Sequence, residues 1–319
     1  MASLGKISLP TTPSFASHTS TLIDNFAKTR PIHANSLILS IYGDTICPRG
    51  DTIWLGSLIK LVEPLGISQR LVRTSVFRLS EKNVLQSKQV GRRSYYSLTN
   101  RAFRQFITAS KRIYAAQPLS WDGQWRLVFT SLGGITTEQR EMVRKELNWL
   151  GFNRITAGVY GHPTADIDDV KKLTRELDLE DNIVILQATA ASSDHVPLAN
   201  KLISQCFDLD SSNEQYTAFI KDFETILAAA HREQTLDPKL CFLIKTLLIH
   251  RFRHILLKEP ALPQALLPEN ALSLRARDMV GSLYQMIQEP ADRYFTEVSE
   301  TEGGEFKQAP ADYFLRFKE

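Results

Sequence analysis

The stretch PLGISQRLVRTSVFRLSEK, residues 64–82, decides the fold of the N-terminal part of the chain. Gly66 ends one helical pattern and Ser68 is a favourable N-cap for the next, so the spacing predicts a helix over residues 69–82. A short turn containing glycine between two helices is typical of a helix-turn-helix. At about 100° per residue the second helix separates into two faces. Val72, Ser75, Val76 and Leu79 form the apolar face, and Arg70, Arg73, Thr74, Phe77, Arg78 and Glu81 form the outer face.

The patterns on both sides of this stretch predict a winged helix-turn-helix. A tight turn at Gly91-Arg92-Arg93 joins two alternating segments that are typical of a β-hairpin. We therefore predict a DNA-binding domain over residues 35–100, after a flexible tail over residues 1–34 and before a linker helix over residues 101–120. An unrelated small α+β module is the alternative. The predicted elements of the domain are helices over residues 35–42, 52–65 and 69–82 and strands over residues 84–90 and 94–98.

The charge of the chain is concentrated at its N-terminal end. Residues 1–118 contain 16 Lys and Arg against 5 Asp and Glu, whereas the remainder contains 22 against 30. A basic module joined to an acidic remainder is typical of nucleic-acid binding, although a solvated basic surface is the alternative. The side chains placed to reach base edges or phosphates from the 69–82 helix are Gln69, Arg70, Arg73, Thr74 and Arg78. At the hairpin tip, Arg92 and Arg93 are placed to contact phosphates.

The rest of the chain predicts two further domains, so the fold class is a multidomain α+β protein. Over residues 121–192 the order β-α-β-β-α-β is that of a ferredoxin-like domain, expected to serve dimerisation or another interaction. Residues 193–319 are expected to form a helical domain related to effector binding. The helices predicted there lie over residues 197–207, 213–230, 238–258 and 271–288.

Composition and motifs exclude several classes of protein. No apolar run approaches the roughly 20 residues of a membrane helix, and the first 20 residues do not resemble a signal peptide. Three widely separated cysteines favour a reduced cytoplasmic protein. Phosphate-binding glycine loops, zinc-protease motifs and nucleophile elbows are missing from the sequence, and the pair His250 and His254 lacks a nearby third ligand. We therefore expect no catalytic residue, no metal and no cofactor.

The segment His250-Arg251-Phe252-Arg253-His254 is a candidate anion site, because several cations lie close together near the end of a helix. Cations at a helix C-terminus also complement the helix dipole, which is the structural alternative. His250, Arg251 and Arg253 are the residues that we expect to bind an anionic effector.

Several runs of the sequence resemble the PaaX family of bacterial repressors of phenylacetate-degradation operons. The resemblance extends over most of residues 35–290 and is densest before residue 100. The runs that carry it are Ser36-Leu37-Ile38, Tyr42-Gly43-Asp44, Pro48-Arg49-Gly50, IWLGSLI at 53–59, EPLGI at 63–67, LVRTSVFRL at 71–79, VGRRSYY at 90–96, WDG at 121–123, WRLV at 125–128, HRFR at 250–253, Leu262-Pro263 and LLP at 266–268.

This resemblance implies a winged helix, a central ferredoxin-like domain and a helical C-terminal domain in a dimeric protein. It also implies repression of phenylacetate catabolic genes in the cytoplasm, at the nucleoid, with release from operator DNA by phenylacetyl-coenzyme A. A homodimer is expected from DNA geometry as well, because two recognition helices about 34–36 Å apart read one face of a duplex. Double-stranded operator DNA and an acyl-coenzyme A effector are therefore the expected partners, and no membrane is involved.

Two other functions remain open at this point. The central domain also resembles the small ferredoxin-like nuclease of CRISPR adaptation, so a metal-dependent nuclease is one alternative. That family holds its metal with an acid at the end of the first strand, and the corresponding stretch Phe129-Thr130-Ser131-Leu132 has none. The departure indicates an inactive scaffold rather than an enzyme. An effector-independent DNA-binding protein is the other alternative.

Overall fold

The computed structural model of the chain shows a mixed α+β protein with two compact units. The residues that it describes are 13–50, 52–115, 121–131, 133–189, 209–259, 262–267 and 271–318. The first unit contains the described residues within Met1–Ala116, Ala218–Arg253 and Arg277–Glu319, and the second contains those within Gln117–Thr217 and His254–Ala276. The first unit thus combines N-terminal and C-terminal parts of the chain, which the predicted domain limits assign to separate domains.

The first helix corrects the prediction of a flexible tail over residues 1–34. α1 spans Phe15–Lys28, and the Ser14 side chain caps it by accepting a hydrogen bond from a first-turn backbone N–H at 3.2 Å. Apolar residues at helical spacing, which the sequence analysis overlooked, give this segment a side that can be buried. Residues 1–12 lie outside the described part of the chain. The buried residues of α1 are Phe15, Thr19 and Ile23.

The next part of the first unit contains the predicted helices and hairpin in the predicted order. Its elements are α2 (Ala34–Ile41), β1 (Ile53–Trp54), α3 (Leu55–Val62), α4 (Gln69–Glu81), β2 (Leu85–Val90), β3 (Arg93–Leu98) and α5 (Asn100–Ile113). The strands form an antiparallel sheet in the order β1-β3-β2. The Ser68 hydroxyl accepts a hydrogen bond from the Leu71 backbone N–H at 3.3 Å and caps α4, as expected. All four residues of its predicted apolar face are buried.

The second predicted helix, over residues 52–65, is shorter at both ends. At its start, Ile53 and Trp54 pair with β3 instead of joining the helix. At its end, Glu63–Leu65 forms a 3-10 turn, because Pro64 has no N–H to continue the helical ladder. Gly66 follows with φ +76°, and an added Cβ there would lie 2.8 Å from the Ala27 Cβ. Glycine is therefore required at this turn both by its backbone angle and by the closeness of α1.

The second unit contains a four-stranded antiparallel sheet with two helices. Its elements are β4 (Gln124–Phe129), α6 (Thr137–Trp149), β5 (Asn153–Thr156), β6 (Val159–His162), α7 (Ile167–Glu176) and β7 (Val184–Thr189). The strand order is β5-β6-β4-β7, and the chain order β-α-β-β-α-β is the predicted one. Val143 and Leu147 of α6 and Val170 and Leu173 of α7 share a hydrophobic core with Val128 of β4.

Long helices and a short hairpin form the C-terminal part of the chain. The elements are α8 (Leu209–Ala230), α9 (Pro238–Leu256), α10 (Leu272–Val298), β8 (Glu300–Thr301) and β9 (Gly304–Glu305). α10 extends ten residues beyond the predicted end at residue 288 and contains Pro290. The helix predicted over residues 197–207 lies outside the described residues. Among the described helices, none combines the length and the apolar character needed to cross a membrane.

Candidate nucleic-acid interface

The outer face of α4 presents a row of polar and cationic side chains to solvent. Gln69, Arg70, Arg73 and Arg78 are exposed and Thr74 is half-buried. The buried face opposite packs α4 firmly into the first unit, so these side chains project from a rigid element. A guanidinium can bind the two acceptors of a guanine edge or a phosphate, and glutamine can bind adenine. The structure thus leaves all five residues predicted on this helix accessible to solvent.

Two further features define the chemistry of this surface. The Thr74 hydroxyl donates to the Arg70 carbonyl oxygen at 3.0 Å, so its proton is used within the helix and its oxygen can only accept. Phe77 lies among the cations with 62% of its surface exposed. Such an exposed ring can contact the methyl group of thymine, which is the apolar mark of an A·T pair in the major groove.

The tip of the β2–β3 hairpin carries the two arginines that were predicted to contact phosphates. Gly91 has φ +59°, which suits glycine at a tight turn, and Arg92 is exposed. Arg93 differs, because its guanidinium forms an ion pair with Glu300 and lies 4.4 Å from the centre of the Trp54 ring. Arg93 therefore has an acidic partner within the same chain, which the sequence analysis did not identify.

A second cation of the hairpin has the same kind of partner. Lys88 Nζ lies 2.6 and 2.9 Å from the two carboxylate oxygens of Glu302. Both acids belong to the β8–β9 hairpin, residues 300–305, which we call the C-terminal hairpin. The signal that could have indicated this contact is the segment 297–305, which holds four glutamates and no Lys or Arg.

The cations predicted to bind an effector all have partners within the first unit. Arg253 donates to the Ser40 hydroxyl at 2.8 Å and to the Ser36 carbonyl oxygen at 2.7 Å, and burial lowers its pKa. Arg251 forms an ion pair with Asp222 at 2.6 Å. His250 Nδ1 lies 3.0 Å from the Ser40 hydroxyl oxygen. These contacts tie α9 to α2 and α8, and an effector role for the three residues stays a prediction.

The centre of the first unit contains a buried charged network that the sequence analysis missed. Asp44 is 2% exposed, and its carboxylate lies 2.9 Å from Lys245 Nζ and 3.2 Å from an Arg316 nitrogen. Tyr114 and Tyr284 donate their hydroxyls to the same carboxylate at 2.8 and 2.9 Å. Lys245, which interrupts the apolar run 243–249, was the one signal in the sequence for a buried charge.

The network controls the protonation of its members. Burial opposes ionisation of Asp44, but the positive charges of Lys245 and Arg316 outweigh it and hold the pKa of the carboxyl below its usual value of 3.8. Burial and the neighbouring Asp44 carboxylate raise the pKa values of Tyr114 and Tyr284 well above 10. At neutral pH these five side chains are therefore one carboxylate, two cations and two neutral phenols, and Lys245 also donates to the hydroxyl of buried Tyr313 at 2.6 Å.

A cavity of about 340 Å³ lies beside this network in the first unit. Phe106 and Ile107 supply apolar surface, and Lys111 is an exposed cation at its wall. Tyr114 and Arg316 belong both to the cavity wall and to the buried network. The cavity thus combines apolar walls with two cations, Lys111 and Arg316, and one acid, Asp312. Apolar walls beside cations are what a ligand with an apolar and an anionic part requires.

The described residues contain no group of three or more His, Cys, Asp and Glu side chains that could hold a metal. In the second unit, β4 ends at Phe129 and Thr130 follows it, with its hydroxyl 3.4 Å from the Gly158 carbonyl oxygen. Thr130 thus gives a neutral side chain, bonded to the backbone, at the end of the strand where the related nuclease carries an acid.

Comparison with known families gives three matches along the chain. They are a PaaX-like protein over residues 33–102, the PaaX protein central Cas2-like domain over residues 118–199 and the PaaX-like protein C-terminal domain over residues 207–297. Together they define a PaaX-type protein with N-terminal, central and C-terminal parts. The chain belongs to the PaaX family, and the resemblance stated from its sequence is confirmed.

The chain is also similar to two individual proteins. It is 34% identical to the transcriptional repressor PaaX of Escherichia coli strain K12 over 304 residues, which cover 93% of this chain and 94% of the relative. A solved structure of an uncharacterized protein from Mycobacterium tuberculosis shares the fold, with a TM-score of 0.53 and 20% identity over 82% of this chain and 97% of the other.

Proposed function

We propose that this protein is a DNA-binding transcriptional repressor of phenylacetate catabolic genes that acts in the cytoplasm, at the nucleoid. The observation that carries the proposal is the exposed basic face of α4, capped at Ser68 and followed by the β2–β3 hairpin. This order of elements supports a winged helix-turn-helix, in which α4 enters the major groove. The relative in Escherichia coli, named a transcriptional repressor, supports the same function.

Two groups of residues make the DNA contacts in this proposal. Gln69, Arg70, Arg73, Thr74 and Arg78 reach base edges and nearby phosphates from α4, and Arg92 and Arg93 contact phosphates from the hairpin tip. Two copies of the chain bind one duplex, because paired recognition helices must lie about one helical turn apart. Sedimentation of the protein on and off DNA tests this, and a stable monomer in both cases would contradict it.

Fluorescence anisotropy with a labelled promoter duplex from the phenylacetate gene cluster tests DNA binding directly. If Arg73 reads a base, Arg73→Ala weakens binding to the promoter by about 1–3 kcal/mol and leaves binding to a random duplex nearly unchanged. Arg140→Ala, which removes an exposed arginine from α6, is the matched control and leaves both affinities unchanged. Equal weakening on both duplexes would make Arg73 a backbone contact.

The hairpin contact has a different signature, because phosphate contacts respond to salt. Arg92→Ala weakens binding to all sequences alike and lowers the slope of log K against log salt by about one unit. Arg92 suits this test better than Arg93, whose substitution also releases Glu300. An unchanged slope would exclude a contact between Arg92 and phosphate.

Release by phenylacetyl-coenzyme A is part of the proposal, and the family resemblance supports it. An effector must bind more tightly to the state that has low affinity for DNA. Titration of the protein–DNA complex with phenylacetate, coenzyme A and the thioester shows which of them releases DNA. The same titration of the Arg251→Ala and Lys111→Ala variants then tests the two candidate effector sites. These are the predicted cations of α9 and the cavity beside α5.

We expect no nuclease activity, since the neutral Thr130 follows β4 where the related nuclease has an acid. Incubation of duplex DNA with the protein and Mg²⁺ or Mn²⁺ tests this. Cleavage that persists through purification of the protein would overturn it.

A further inference from the structure

Two segments of opposite charge meet in the first unit. Residues 82–93, which contain most of the β2–β3 hairpin, hold four Lys and Arg and no acid, and residues 297–305 hold four Glu and no base. The contacts between them are the Arg93–Glu300 and Lys88–Glu302 ion pairs. Two of the four cations of this segment are therefore paired with the protein's own carboxylates.

The cations lie on one face of the three-stranded sheet. Trp54 of β1 and Lys88 of β2 both pair with Tyr95 of β3, so their side chains share a face with Tyr95. Arg93 precedes Tyr95 by two residues and points to the same side. The Arg93 guanidinium lies 4.4 Å from the centre of the Trp54 ring, and this stacking orients its nitrogen atoms. We call the surface of Trp54, Lys88 and Arg93 the wing face.

The C-terminal hairpin is fixed at both of its ends. The Glu300 backbone N–H donates to the buried Ser57 hydroxyl of α3 at 3.0 Å. After the hairpin, Phe306 is buried and its ring centre lies 4.7 Å from that of Phe295 in α10. The two acids are thus held at the wing face by the fold, whereas the ion pairs themselves remain accessible to water.

The exposure of the pairs allows exchange of partners. The Lys88 and Glu302 side chains are 65% and 40% exposed, and water and salt weaken such pairs strongly. Carboxylate and phosphate oxygens bind the same ammonium and guanidinium donors. A DNA phosphate can therefore replace either glutamate at small cost.

We propose that the wing face is a phosphate-binding site for duplex DNA, and that Glu300 and Glu302 occupy it in the free protein as an internal competitor. This rests on the proposed DNA-binding function and adds a mode of regulation to it. The competitor weakens contacts to phosphates, which are the same in every sequence, and leaves contacts of α4 to bases untouched. It thereby lowers the affinity for random DNA and for promoter DNA by a similar factor, so that the base contacts of α4 supply a larger share of the binding free energy at the promoter.

The test compares two double variants of the full-length protein that remove the same charge from the same segment. Glu300→Gln/Glu302→Gln removes the acids that contact the wing face. Glu297→Gln/Glu305→Gln removes the two other, exposed acids, and Glu305 lies opposite Glu300 in the hairpin. Binding to a random duplex and to promoter DNA is measured by anisotropy at two salt concentrations. Far-UV circular dichroism confirms that both variants are folded.

The first double variant is expected to bind both duplexes more tightly, by roughly two- to fivefold for each pair removed at low salt. Its gain shrinks at high salt, and the control variant stays within about twofold of the wild type. In a Lys88→Ala background, Glu302→Gln alone no longer changes the affinity.

Equal gains in the two double variants would show only a general effect of negative charge and would overturn the inference, with the proposed DNA-binding function intact. A gain from Glu302→Gln that persists without Lys88 would also overturn it. Failure of the wild type to bind any duplex would instead overturn the proposed function, and the inference with it.

Discussion

Ion pairs in the first unit occur in two contrasting settings, at the buried Asp44 network and at the exposed wing face. Asp44 and Lys245 have side chains that are 2% and 0% exposed. Arg316, Tyr114 and Tyr284 also contact Asp44, and Tyr313 contacts Lys245. Lys88 and Glu302 form a pair at 2.6 Å, slightly shorter than the 2.9 Å between Lys245 and Asp44, yet about half of their surface is in water. Similar distances therefore join groups with very different surroundings.

The surroundings decide what each pair can do. In a buried site, removal of one partner leaves a charge without compensation in a medium of low polarity, which is strongly unfavourable. At the surface, water and ions compensate a charge that loses its partner, so the pair adds little stability and exchanges readily. The Asp44 network is thus suited to fixing the fold, and the pairs of the wing face are suited to exchange with another anion.

The largest expected effect comes from breaking the buried network. Asp44→Asn keeps the size of the side chain and removes the charge that compensates Lys245 and Arg316. We expect it to lower the free energy of unfolding by about 3–5 kcal/mol. Urea denaturation of wild type and variant, followed by far-UV circular dichroism, measures the difference.

The exposed pair supplies the control for this experiment. Glu302→Gln removes a carboxylate from an ion pair of the same unit and is expected to cost less than about 1 kcal/mol. Equal losses in Asp44→Asn and Glu302→Gln would break the contrast between the two settings.

A smaller effect is expected when protons, rather than a substitution, neutralise Asp44. Its pKa in the folded protein is below the usual 3.8, so the unfolded chain takes up the proton first as the pH falls. The stabilisation is therefore complete above that usual value and is lost as the pH falls through the lower, folded pKa. In urea denaturation between about pH 7 and pH 3, wild type should lose more stability than Asp44→Asn. Parallel pH profiles of the two proteins would contradict this role of Asp44.

The sequence predicts α4 and the exposure of its outer face well, because local rules govern both. The cap at Ser68 and the spacing of apolar residues in α4 depend on neighbours within one or two turns. The outer face with Arg70 and Arg73 follows directly from the same periodicity. For the same reason the prediction of a βαββαβ order in the second unit is confirmed.

The contacts missed from the sequence join residues that are far apart in the chain. Asp44 meets Lys245, and Arg93 meets Glu300, across about two hundred residues. Neither pairing follows from periodicity, since each depends on how α9, α10 and the C-terminal hairpin pack. Lys245 inside an apolar run predicts that some acid is buried near it and gives no way to identify Asp44.

The smallest expected effect concerns the stability contributed by the exposed pair itself. A double-mutant cycle with Lys88→Ala and Glu302→Gln isolates their coupling from other effects of each substitution. Because about half of the surface of these side chains is in water, we expect a coupling of about 1 kcal/mol or less that declines as salt is raised. A coupling of several kcal/mol, insensitive to salt, would place this pair in the same class as the Asp44 network. It would also mean that a DNA phosphate displaces Glu302 only if the free energy of the new contact with Lys88 exceeds that coupling energy.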